Sequence, residues 1–296
     1  MIKTGISLSY PFITPELFRL LLKHPDVEIK WIRGANDGSE YERDFFETLQ
    51  DEIKDIPVVE CLSEDCFDEI DLYIGTNSVS VPEDKDFKTI FTDGDDFILG
   101  VCEYNRKAMV RGGKAVVLPG ISVILGALAL MPLAKNLLLN STITATMLLP
   151  VDRLVSRSAF RIEPDSRIDD EMKLLGDKIL TQLQTSFNSP IEVNTIGSTV
   201  SSFACAIFVI DIKFPANQAI ELFKDFYSDH RHIFFPEHTV SERMVLGTNK
   251  TVITMYNDST GRLVVNVGCD ALFKGGAGNI VHVLNLLFGL DERTGL

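Results

Sequence analysis

The chain has 296 residues, 45% hydrophobic and 24% charged, a balance that supplies the cores of two ordinary domains and excludes disordered, collagen-like and disulfide-stapled classes. Acidic side chains number 42 against 28 basic ones, so the net charge is −14. A field of that sign repels phosphate backbones and anionic headgroups, which removes nucleic acid and membrane surfaces from the expected partners.

In chain order, Lys3 to Leu8 reads as a strand and Thr14-Pro15-Glu16 as a helix start. Thr14 suits the N-cap, Pro15 the first helical position, and Glu16 the positive helix end. The helix stops before Pro25, and Val27 to Ile32 is a second strand. Phe45, Phe46, Leu49 and Ile53 give Tyr41 to Ile53 a helical spacing, and short apolar segments follow at 56–59, 72–74 and 89–91. This alternation predicts a parallel sheet with helices on both faces. Val116 to Ala134 is apolar and long, but Pro119, Gly120 and Pro132 break it into a buried strand, a turn and a buried helix rather than a membrane span.

After about Asn140 the grammar changes. Asp170 to Phe187 has an amphipathic helical pattern, Phe203 to Phe214 is β-prone, and Gln218 to Tyr227 is helical. Thr251–Tyr256 and Leu263–Cys269 are strands joined by the turn NDSTGR, and Gly278 to Leu290 is a last helix. The fold class expected is therefore α/β: a Rossmann-like parallel-sheet domain plus an α+β domain with a mainly antiparallel sheet. Five scattered cysteines and an opening without a basic, apolar leader point to a reducing, cytoplasmic setting.

Few side-chain groups carry chemistry. Asp93, Asp95 and Asp96 read as an acidic solvated turn, and Cys61 and Cys66, flanked by acids, as plain thiols. His230, His232, His238 and Glu237 lie close together, but their spacing alone does not make a metal site, and no metal is expected. Lys274 before a Gly-rich helix start is either an anion site or a close-packing device. The first strand–helix turn, where a dinucleotide would lie, contains Pro11 and no glycine after Gly5.

Four segments in order resemble the N-acetyl-gamma-glutamyl-phosphate reductase family, of the semialdehyde-dehydrogenase type. They are Glu16 to Ile29, Gly100 to Met109 (GVCEYNRKAM), VVLPGISVILGALALMPLAK from Val116, and Phe273 to Leu296. The resemblance implies an NADP-binding domain over 1–140 that the C-terminal helix, 278–296, rejoins. It also implies a catalytic and dimerisation domain over 141–277 and a homo-oligomer. It further implies NADPH-dependent reduction of an acyl phosphate, in arginine biosynthesis, through a cysteine thioester with a histidine as acid and base. The nucleophile's place after Pro119-Gly120 is filled by Ile121, which cannot ionise; Ser122 beside it would need a base. No histidine lies between His24 and His230, and the family's three turn glycines fall on Leu8, Pro11 and Thr14. What remains of cofactor binding would rest on Ser9, Tyr10 and Thr14. The expectation is thus a diverged member without the standard catalysis and with no coenzyme unless NADP is retained, a binding or interaction protein with a small-molecule or protein partner. The alternative is an oxidoreductase with a relocated nucleophile, Cys102 in the EYNR loop, next to Glu103, Asn105 and a phosphate-clamp candidate, Arg106.

Overall fold

The computed structural model describes residues 1–9, 12–34, 40–78, 81–82, 86–94, 97–150, 191–198, 201–237 and 241–296. The amphipathic pattern at Asp170 to Phe187 lies outside them. The chain divides into two compact units, Met1–Pro119 with Gly275–Leu296 and Gly120–Lys274.

The first unit is built on strands β1 (Ile2–Ser7), β2 (Val27–Arg33), β3 (Val58–Val59), β4 (Leu72–Gly75), β5 (Lys88–Phe91), β6 (Ile98–Leu99) and β7 (Ala115–Val117). They form one sheet in the order β3-β2-β1-β4-β5-β7-β6, every pairing parallel. Helices α1 (Pro15–Lys23), α2 (Glu40–Thr48) and α4 (Cys102–Val110) belong to this unit, as does the short α3 (Glu64–Asp68). One face of the sheet offers Ile6, Ile32, Leu72, Ile74, Ile90 and Val116 to Leu17, Phe18, Phe45 and Met109 of these helices. The other face is aromatic: Trp31, Tyr73 and Phe91 pack with Phe67 of α3 and with Phe87. Among the described residues the five-residue α3 is the helix on that side, joined by Leu62, Phe87 and Phe97, where the sequence pattern predicts a full helical layer.

A bulge decides which residues reach the aromatic face. Thr4 pairs with Ile29 but Gly5 pairs with Trp31, so Lys30 is the extra residue in β2. The insertion reverses the alternation of side chains, sending Ile29 and Ile32 to the helical face and Trp31 to the other. The Trp31 ring then lies directly on Gly5, where a Cβ would sit 2.2 Å from Cζ2. Only glycine fits beneath that ring. Gly5→Ala is expected to cost about 2–3 kcal/mol, the price of overpacking a filled site, measured by urea unfolding; an unchanged midpoint would refute the close approach.

The second unit holds α5 (Ile121–Lys135), β8 (Ile143–Pro150), β9 (Ile191–Ser198), β10 (Phe203–Ile210), α6 (Ala216–Phe226), β11 (Ile233–Phe234), β12 (Thr251–Asn257) and β13 (Leu263–Asp270). The sheet order is β11-β12-β13-β10-β8-β9. Its three central pairings are antiparallel and its two outer ones parallel. The division falls at Pro119 rather than near residue 140, because α5 packs on β13, β10 and β8 of this sheet. Pro132 sits inside α5 and cannot donate to the carbonyl of Leu128. The buried Tyr227 hydroxyl donates to that oxygen instead, at 2.8 Å, so the proline leaves no orphan. Among the described residues no helix is long and apolar enough to cross a membrane.

The last helix, α7 (Ala277–Phe288), belongs to the first unit, with Ile280, Val283, Leu284 and Leu287 in its core. Its C-terminal carbonyl at Leu287 accepts from the Lys88 ammonium, which also lies 4.7 Å from the Phe288 ring.

Candidate functional site

The first crossover turn runs from the end of β1 to α1. Leu8 N–H bonds the Arg33 carbonyl at 2.9 Å, and the N–H groups of Phe12 and Ile13 both donate to the Ser9 carbonyl. Pro15, the first residue of α1, has no N–H. The turn therefore spends on itself the donors that a glycine-rich turn would present to a phosphate. The Ser9 hydroxyl is paired with that of Thr92 at 2.9 Å. Thr14 occupies the N-cap, yet its side chain makes no cap bond, contrary to expectation. The reason is local: Leu17 N–H, an ordinary target of such a cap, is taken by Thr14's own carbonyl at 3.0 Å. Tyr10 and Pro11 lie outside the described residues.

Ile121 is the first residue of α5, with Gly120 at the N-cap and Ile124 N–H bonded to the Gly120 carbonyl. A helix start of this kind stabilises a thiolate, but what it presents is a half-buried hydrocarbon branch.

Cys102 opens helix α4 rather than lying in a loop. It is 1% exposed, and its thiol donates to Asn279 Oδ1 at 3.5 Å while Asn279 Nδ2 donates to the Gly100 carbonyl. A thiol so enclosed is a packing group. Glu103 is buried, and Asn105 Nδ2 caps the Leu99 carbonyl at 2.7 Å. Arg106, the phosphate-clamp candidate, instead gives its Nε–H to Glu292 Oε1 at 2.6 Å. The other oxygen of Glu292 accepts from Nε2 of the buried His282 at 2.8 Å. Burial pushes the Glu292 carboxyl upward, but the bonds and charges of His282 and Arg106 outweigh it and hold it below its ordinary value.

The remaining sequence candidates are dispersed. Lys274 is fully buried at the end of the second unit, its N–H on the Asp270 carbonyl. His232 is buried, His230 is half-buried with its ring 5.7 Å from that of Tyr227, and Glu237 is exposed. His238 lies outside the described residues, among which no three metal-ligating side chains come together. Asp93 is exposed and accepts the Asn77 N–H; Asp95 and Asp96 lie outside the described residues. Cys61 is exposed and Cys66 partly so, its sulfur 3.5 Å from the Ser63 hydroxyl.

The sequence reading passed over His24, His282, Asn285 and Glu292, which with Asn279 form the polar interior of the first unit. A signal was present: residues 279, 282 and 285 are polar at helical spacing in an otherwise apolar helix. Asn285 Oδ1 accepts from His24 Nε2 at 3.0 Å, and its Nδ2 donates to the carbonyls of Glu292 and Thr294.

Over its whole length the chain is 30% identical to the N-acetyl-gamma-glutamyl-phosphate reductase of Phocaeicola vulgatus and covers 98% of that protein. It belongs to the N-acetyl-gamma-glutamyl-phosphate reductase family. A relative of the same name from Bacteroides thetaiotaomicron is 28% identical over the same share of both chains. No family model matches the chain. Among solved structures, aspartate semialdehyde dehydrogenase II from Vibrio cholerae, in complex with ASA, superposes with a TM-score of 0.67 over 98% of both chains at 14% identity. That likeness carries the two-domain semialdehyde-dehydrogenase fold. For this family member, then, the EYNR segment and the C-terminal motif are joined by an internal ion pair, Arg106 with Glu292.

Two outcomes are expected. Glu292→Gln leaves Arg106 and the buried His282 without their carboxylate, at a cost of about 2 kcal/mol in chemical denaturation. Because the native carboxyl is held below the ordinary 4.5, its stabilising contribution is complete above that pH and is lost as pH falls through the lower native value. An unfolding curve for Glu292→Gln with the same acid dependence as the parent would contradict this. Iodoacetamide on the folded protein should modify Cys61 first and leave Cys102 and Cys269 untouched, as read by peptide mass spectrometry; early labelling of Cys102 would reopen its case as a nucleophile.

Proposed function

We propose that this chain is a member of the reductase family that has lost the thioester chemistry and acts as a binding or interaction protein. The observation that carries the reading is Ile121 at the first turn of α5, where the resemblance puts the nucleophilic sulfur. No thioester forms on a hydrocarbon side chain, and hydride transfer then has no covalent acyl group to receive it. A second support is the closed first turn, whose Phe12 and Ile13 N–H groups are bonded to Ser9. It does not fit the pyrophosphate of NADP, the coenzyme the family implies. The alternative of a relocated nucleophile draws no support from Cys102, whose thiol is enclosed on Asn279.

The second unit supports an oligomeric form of this protein. Ile207 and Tyr256, 42% and 50% exposed, lie on strands of its sheet, and a second copy of the chain is the partner we assign to that side of the sheet. A soluble, cytoplasmic protein is consistent with the composition.

The test is direct. Purified chain, NADPH and N-acetyl-gamma-glutamyl phosphate are expected to show no NADPH oxidation above about a thousandth of a typical 10 s⁻¹ turnover. Faster, protein-dependent oxidation that survives repurification would overturn the proposal.

A further inference from the structure

Two thiols sit on either side of the start of α3. Cys61 is exposed in the bend that leaves β3, and Cys66, half-buried, is the third residue of the helix. The chain between them folds back on one support: Leu62, next to Cys61, and Cys66 itself both pack against the cluster of Trp31, Phe67, Tyr73 and Phe87. The Cys66 sulfur lies 3.5 Å from the hydroxyl of Ser63, the residue before the helix. It points back along the chain, as helical side chains do, toward the arm that carries Cys61. Residues 60–63 belong to no helix or strand, so that arm can take up the spacing a sulfur–sulfur bond requires.

Cys66 is also tied to the aromatic face through its backbone. Its carbonyl accepts the Trp31 indole N–H at 3.0 Å, and Trp31, the chain's one tryptophan, lies on Gly5 of β1. A change at the Cys66 sulfur is therefore passed, within one residue, to a ring in the middle of that face. Of the other cysteines, Cys102 and Cys269 are buried and Cys205 lies within β10. Glu60, Glu64 and Asp65 are exposed around the pair. Their charge repels an anionic oxidant, such as a glutathione-type disulfide, and does not act on an uncharged one.

We propose that Cys61 and Cys66 are a reversible thiol–disulfide pair, a site of oxidative modification by small uncharged disulfides, whose state is read at Trp31. The step is thiol–disulfide exchange. The exposed Cys61 thiolate attacks one sulfur of the reagent, forming a mixed disulfide and expelling a first thiolate. Cys66 then attacks the Cys61 sulfur, forming the intramolecular bond and expelling the second. Two protein thiols are oxidised, one disulfide is reduced to two thiols, and the protons lost by the cysteines end on those thiols. The pair does not rest on the binding-protein reading.

The experiment treats the full, folded chain with hydroxyethyl disulfide, blocks remaining thiols with iodoacetamide and follows the tryptic peptides by mass spectrometry. Cleavage after Lys54 and Lys85 leaves both cysteines, and no other, in one peptide. The expected product is that peptide lighter by two hydrogens, formed at least about tenfold faster than in urea, where the fold no longer holds the sulfurs together. Trp31 emission should shift as the bond forms and return with dithiothreitol. In Cys66→Ser the reaction should stop at the mixed disulfide on Cys61. A wild-type chain that also stops there, or that closes no faster folded than unfolded, would overturn the pair. Unchanged emission on closure would overturn its link to Trp31.

Discussion

The first unit depends on one constraint: its last helix must be set into a core made almost entirely by the other end of the chain. An apolar helix can rotate or slide in an apolar socket at little cost. Here three polar residues on one stripe of α7 remove that freedom. Asn279 is bonded to the start of α4, His282 to Glu292, and Asn285 to both His24 and the carbonyls of the C-terminal segment. Each bond is satisfied in one rotation and one register of the helix, and each broken one would leave a buried polar group at roughly 1–3 kcal/mol. Glu292 completes the arrangement by tying α7 to α4 through Arg106.

This interior gives residues of the EYNR segment a structural duty. Asn105 holds the Leu99 carbonyl before α4, and Arg106 ties α4 to Glu292 beyond α7, bonds that involve no coenzyme. The first residue of α5 carries no sulfur, and the first crossover turn uses the Ser9 carbonyl to occupy the N–H groups of Phe12 and Ile13. Under the function proposed above, packing residues can serve the scaffold whether or not reactive ones stand beside them.

Much of the fold was legible from periodicity. The helix start at Pro15, the strand–turn–helix reading of 115–135, the hairpin of β12 and β13 and the apolar last helix all follow from local spacing, capping and glycine or proline punctuation. The bulge at Lys30 was not, because VEIKWIR alternates acceptably as a regular strand, and only the competition of Ile29 and Ile32 for one face forces the extra residue. The Thr14 cap bond was wrong because an N-cap has two oxygens, and the carbonyl won the Leu17 N–H. Arg106 could not be assigned from sequence, since its partner lies 186 positions away. Cys102, expected in a loop, is the first residue of a helix and is enclosed against Asn279 of α7. That Ile121 offers no nucleophile needs no geometry, since its side chain has no heteroatom.

The placement of α7 also sets an order on biosynthesis. β1 lies inside the seven-stranded sheet, but the helix that packs on α1, α4 and β5 follows the whole second unit in the chain. The second unit is contiguous, 120–274, and has all its residues before that helix appears. During translation the first unit is thus interrupted by the second, and its apolar groove stays uncovered until α7 has been made.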